Sequence, residues 1–216
     1  MTSRVVHRGD GVAFLREPLP AGAAIVTSLP DHSEVPELGV AGWQRWFVDT
    51  VALACRAVAD DGVAMFYQTD VKHAGRWIDK GHLVMCGVDA AASHLLWHKI
   101  VCRVPPGTTT FGRPAYAHFL CASRARTLAP GASTPDVLPS LGAMTWSRAM
   151  GMAACAAAVE FARSIGATAI VDPFCGVGSV LAMANARGLD AIGVELSKRR
   201  AAKARALELT TELARP

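Results

Sequence analysis

Three stretches of this chain place reactive residue types where backbone turns expose them. In "VDPFCGVGSVLA", residues 171–182, an apolar run ends at Asp172 and passes through Pro173 and Phe174. Cys175-Gly176-Val177-Gly178 then turns into a helix expected from about Ser179. Glycines at such a strand-to-helix turn let the backbone come close to a ligand, as nucleotide-cofactor sites require. Glu195 ends the next apolar run, at about the separation where an acid meets ribose hydroxyls in dinucleotide-binding folds. Leu181 stands where G-x-G-x-x-G would have its third glycine, so a tight turn without a ligand is the plain alternative. The second stretch is Ser28-Leu29-Pro30-Asp31-His32. The Ser28 hydroxyl and the Leu29 carbonyl can accept hydrogen bonds from an amine, and Asp31 or His32 can take a proton from a ring nitrogen or hydroxyl. Asp31-His32-Ser33-Glu34 reads equally well as a helix-capping loop. The third is Arg8-Gly9-Asp10-Gly11, where Asp10 either contacts a ligand or shapes the turn.

These residues need strands to hold them. Val5 and Val6 begin a short strand, and Ala23–Val26, bounded by Pro/Gly and Ser/Pro turns, is a buried one. Val40, Trp43, Phe47, Val51, Ala54 and Val58 have the three-and-four spacing of an amphipathic helix over residues 37–60. "GVAMFYQTDV" is the next strand, followed by a helical or irregular stretch to residue 92. "HLLWHKIVCRV" and "AYAHFLCAS" predict an antiparallel pair at a sheet edge, and residues 124–140 a surface connection. Residues 146–165 predict a buried alanine-rich helix; strand, helix, strand and helix follow to Leu209. Strand–helix alternation of this kind predicts a doubly wound α/β sheet covered on both faces.

At 216 residues, 51% hydrophobic and 19% charged, the chain has enough apolar content for one sizeable core and little for extensive disorder. The net charge of +4 helps a polyanionic partner without demanding one. No apolar run approaches the roughly 18 residues of a membrane span, so no membrane partner is expected. None of the six cysteines pairs at C-x-x-C spacing, and His73, His82, His94, His98 and His118 show no ligand spacing. Reduced cysteines, no metal and a cytoplasmic location are the expectation.

"DPFCGVGSVLA" resembles the first motif of class I S-adenosylmethionine-dependent methyltransferases, in the form seen in nucleic-acid amino-methyltransferases. The resemblance implies that Asp172–Gly178 (Pro173, Phe174, Cys175, Gly176 included) and Glu195 bind S-adenosylmethionine, with Asp10 near its adenine. In the circularly permuted beta group of that family the acceptor half precedes the cofactor half. "HRGDGVAFLREPLPAGAAIVTSLPD" and "LLWHKIVCRV...GRPAYAHFLCAS" are similar to the opening and hairpin strands of that group. A Rossmann-like seven-stranded mixed sheet in one domain is implied: residues 1–123 as acceptor half, 124–145 as connection, 146–216 as cofactor half. Ser28, Pro30 and Asp31 then form the acceptor site. Leu29 and Asp31 depart from the family's Pro-Pro-aromatic pattern, and Phe119 stands where an acid often follows the histidine. With no room for a separate target-recognition domain, the expected substrate is a base in structured RNA, tRNA or rRNA. The alternatives are DNA or a small molecule, or a catalytically silent subunit that binds RNA or a partner protein.

Overall fold

The computed structural model describes residues 2–210. In chain order these form β1 (Arg4–Arg8), α1 (Gly11–Phe14), β2 (Ala23–Thr27), α2 (Gly39–Ala57), β3 (Ala64–Gln68), β4 (Val71–His73), β5 (Arg76–Ile78), α3 (Lys80–Ala90), β6 (His94–Cys102), β7 (Tyr116–Ser123), β8 (Val137–Leu138), α4 (Met152–Ser164), β9 (Ala169–Asp172), α5 (Ser179–Ala186), β10 (Asp190–Glu195) and α6 (Lys198–Ala206). The main sheet has the order β1-β10-β9-β2-β3-β7-β6-β8. β7 alone runs against its neighbours; the other pairings from β1 to β3 are parallel, and β8 adds to β6 in parallel. The last two strands in sequence thus sit between the first two, with β9 beside β2.

Continuous apolar runs form the middle of this sheet because both faces are covered. In β2, Ala24 and Val26 face a core shared with the alanines of α4 and with α5, while Ala23 and Ile25 face a second core under α2 and α3. The spacing in α2 does what it predicts: Trp43, Phe47, Val51 and Ala54 are buried. Burying side chains as large as Trp43 and Phe47 contributes roughly 1.5–3 kcal/mol each.

Three local expectations change. Residues 71–78 form a hairpin, β4–β5, around Ala74 and Gly75, both at positive φ. Three-residue strands rich in charge carry no readable alternation, and alanine is an unusual first residue for that turn. The sheet has eight strands, not seven, because β8 pairs with β6 inside the expected loop. Lys99 on β6 is the anchor, donating to the carbonyls of Thr134 and Pro135 at 3.0 and 2.8 Å. Finally, α4 starts at Met152, not near Trp146. A Cβ at Gly151 would lie 2.0 Å from the Leu141 carbonyl oxygen, so the chain enters the helix through a position with room only for glycine. The residues ahead of it form a strap across the ends of the strands.

Candidate active site

The strap covers a cavity of about 400 Å³ at the C-terminal ends of β1, β10, β9, β2 and β3. This is where open α/β sheets bind ligands, and the volume lies within the roughly 300–1,000 Å³ of such pockets. Asp10, Ser28, Leu29, Pro30, Asp31, Asp172, Pro173, Phe174, Cys175, Gly176 and Glu195 all line it. Residues more than 140 positions apart meet because β2 and β9 are neighbours.

Gly178 does not line the cavity. It adopts φ +86°, and a Cβ there would sit 2.9 Å from Cα and Cβ of Ala204, so it lets α6 close on the turn. Leu181 fills the place of the third glycine because Gly193 on β10 gives way instead: a Cβ at Gly193 would be 2.4 Å from Leu181 Cδ1. Gly176, at φ +55°, faces the indole of Trp146 in the strap and is the glycine of this turn that borders the cavity.

Two acids stand on this wall. Asp172 is buried, and its Oδ1 accepts from Thr27 Oγ1 at 2.7 Å and from the Phe174 N–H at 3.1 Å. Burial outweighs those two bonds, the Glu195 charge adds to it, and the carboxyl is pushed up to about 7. Glu195 is also buried, but its Oε1 accepts from the Ser197 N–H at 2.7 Å and from Arg200 Nε at 2.9 Å. With those contacts on Oε1, Oε2 is the oxygen left for a ligand. The Asp10 carboxylate caps α1 through the Val12 N–H at 2.7 Å while bordering the cavity, so turn-shaping and ligand contact are compatible. Its neighbour Gly11 is fixed by contact, since a Cβ would lie 2.1 Å from the Pro173 carbonyl oxygen. Burial pushes the Cys175 thiol up, which keeps it protonated and unreactive.

The opposite wall is the Ser28–Asp31 loop. Trp43 holds it from below, its Nε1–H donating to the Pro30 carbonyl at 3.0 Å, while Trp46 borders the cavity edge-on to Phe174. Asp31 is neither a simple helix cap nor an unpaired base. Its Oδ1 lies 2.5 Å from the ammonium of Lys80, a lysine only 3% exposed. His32 packs edge-on against Trp43 and His73 and does not line the cavity. Arg148 of the strap reaches Glu34 at 3.2 Å and bridges the two walls.

Sequence reasoning missed the third wall, at the end of β3. Asp70 borders the cavity and receives the Lys80 N–H at 2.8 Å and His118 Nε2 at 3.2 Å. Burial opposes its charge, but those hydrogen bonds and the fields of His118 and Lys80 leave the carboxyl below its ordinary range. Arg103 and Arg113 border the mouth from the β6–β7 loop. Asp70, Asp79 and Lys80 lie within one eleven-residue stretch, a density of charge next to an apolar strand that could have marked the segment.

No protein-family model matches the chain, and no curated protein sequence matches it significantly. Solved structures do. TTHA0409 of Thermus thermophilus, described as a DNA modification methylase and complexed with S-adenosyl-L-methionine, is 20% identical with TM-score 0.68 over 95% of this chain and 94% of its own. The M1.HpyAVI–SAM complex is 13% identical with TM-score 0.63, over 94% and 98% of the two chains. The cytosine-N4-specific PvuII DNA methyltransferase is 13% identical with TM-score 0.69, over 98% and 90%. Identities this low speak for architecture alone, and the strand order, the reversed β7 and these likenesses agree: the chain has the class I methyltransferase fold.

Proposed function

We propose that the protein is an S-adenosylmethionine-dependent methyltransferase acting on a base in nucleic acid. The observation that carries this reading is the meeting of two walls in one crevice, the glycine turn with Glu195 on one side and Ser28–Asp31 on the other. The residues fit the cofactor. Gly176 leaves backbone open to the cavity, Glu195 Oε2 would accept from ribose hydroxyls, and Asp10 would meet the adenine edge. When bound, S-adenosylmethionine supplies an electrophilic sulfonium methyl group.

What the chain itself does is position an acceptor and keep water away. The Ser28 hydroxyl and the Leu29 carbonyl would orient an exocyclic amine toward the opposite wall. Asp31 Oδ1 already accepts from the Lys80 ammonium, which leaves Oδ2 to accept a hydrogen bond from such an amine. The strap, tied through Arg148 and Glu34, closes the crevice.

Two polymers compete as substrate, each with its own support. The Ser-Leu-Pro-Asp loop, lacking the aromatic that stacks on a flipped base, favours structured RNA, whose folded shape can be read without it. TTHA0409 and the PvuII enzyme carry DNA-methylase names and are matched over at least 90% of their lengths, which favours DNA. Methyl transfer from labelled S-adenosylmethionine to total RNA, genomic DNA and a metabolite extract decides among them. Label in none of the three, with cofactor bound, would identify a silent methyltransferase-like subunit.

A further inference from the structure

On the α2/α3 face of the sheet, side chains from three separate segments converge beside the cavity. Asp70 follows β3, Asp79 is the N-cap of α3, and His118 lies on β7, between β3 and β6. One ligand-type atom from each lies within 4.8 Å of the others. His118 Nε2 is 3.2 Å from an Asp70 oxygen and 3.6 Å from Asp79 Oδ1. Ligands held about 2.0–2.1 Å from a tetrahedral ion are roughly 3.3 Å apart, so this spacing matches adjacent corners of one coordination shell.

We propose that Asp70, Asp79 and His118 bind one divalent transition-metal ion of the zinc class. One imidazole and two carboxylates give an N/O donor set of charge −2, which a divalent cation neutralises. The imidazole is fixed as a ligand imidazole is: His118 Nδ1 lies 3.0 Å from His98 Nε2, so with the ion on Nε2 the Nδ1–H donates to His98. Tyr116 packs edge-on against the same ring, and Gly81 makes room for it, since a Cβ there would be 2.9 Å from His118 Nδ1. Asp70 and Asp79 are each oriented by a backbone N–H, of Lys80 and His82 at 2.8 Å. The adjacent cation, the Lys80 ammonium, is already paired with Asp31.

An independent observation points to the same place. Gln68 sits directly across from His118 in the β3–β7 ladder, two residues before Asp70, and is fully buried. Neither its amide nitrogen nor its amide oxygen has a hydrogen-bond partner. A buried amide left unpaired is costly, and a water held by an ion at His118, its cross-strand neighbour, would give it a partner. Asp79, 61% exposed in its side chain, leaves the entry path open. The ion would fasten the 69–80 segment that forms one wall of the cavity.

The test uses the full chain stripped with a chelator and titrated with Zn²⁺ by calorimetry, with thermal melting in parallel. Wild type is expected to take up one equivalent with a raised melting temperature. Asp79→Asn, which still caps α3, should weaken Zn²⁺ binding by on the order of 10- to 100-fold or more, and His98→Gln by about 10- to 100-fold. Cys86→Ser is the control, because Cys86 Sγ and His82 Nε2, 3.5 Å apart, are a second pair able to take zinc. It should bind like wild type, and Co²⁺ in place of Zn²⁺ should show no thiolate charge-transfer band. Equal affinity in wild type and Asp79→Asn, loss of binding in Cys86→Ser, or no saturable uptake would each overturn the site. None of these readouts depends on methyl transfer.

Discussion

Replacing Asp172 by asparagine is expected to flatten the dependence of folding stability on pH between about 4 and 7. The carboxyl is buried and its folded-state pKa is pushed up to about 7, from 3.8 for an unperturbed group. Over that window the folded protein holds a proton that the unfolded chain has released, so stability falls as pH rises. Below the unfolded value both states are protonated and nothing is lost; above about 7 the full penalty of a buried charge is present. A shift of about three units corresponds to on the order of 4 kcal/mol across the window. Asparagine keeps an Oδ1 for Thr27 and the Phe174 N–H but cannot ionise. The variant should therefore match wild type near pH 4 and exceed it by several kcal/mol at pH 8. Urea denaturation of both proteins at half-unit steps reads the difference directly. Parallel stability curves would show that Asp172 is ionised in the folded state throughout, with the Thr27 and Phe174 bonds outweighing its burial.

Glu195→Ala should weaken S-adenosylmethionine binding about tenfold or more, since it removes charge-assisted hydrogen bonds worth roughly 1.5–3 kcal/mol; unchanged affinity by calorimetry in the folded variant removes Glu195 from the site. Ser28→Ala should reduce methyl transfer more than Asp31→Asn if the acceptor is an exocyclic amine, whereas a drop of about 10² to 10⁴ in Asp31→Asn alone marks Asp31 as a base. Asp31→Asn also strands the Lys80 ammonium in a buried position, which costs about 3–5 kcal/mol, so Lys80→Met in the same background should recover stability. Gly178→Ala should destabilise by about 1–3 kcal/mol or more, from left-handed backbone strain and contact with Ala204, in chemical denaturation; a wild-type midpoint would mean α6 can move away.

Alternation of apolar runs and amphipathic spacing is a property of the chain itself, and it determined most of this protein. The buried strands, the face of α2, the glycine turn after Asp172 and the acid at Glu195 were all legible, because each rests on a local backbone requirement or on burial of one face. The resemblance of the Asp-Pro-Phe turn, combined with its late position, implied a cofactor half that follows an acceptor half, and in the sheet the last two strands of the chain lie between the first two. What the sequence could not express was which distant side chains meet. Lys80 looks like an ordinary helix residue until the fold places its ammonium on Asp31, and that contact changes what Asp31 can do. Gly193 looks like a weak point in a strand until Leu181 is found to need its space. Asp70, Asp79 and His118 have no common spacing, because they come from a loop, a helix cap and a reversed strand that only the β3–β7 pairing brings together. Local turns and periodicities are fixed by neighbours in sequence. Ion pairs, close packing and ligand clusters are fixed by neighbours in space, and those exist only once the sheet has closed.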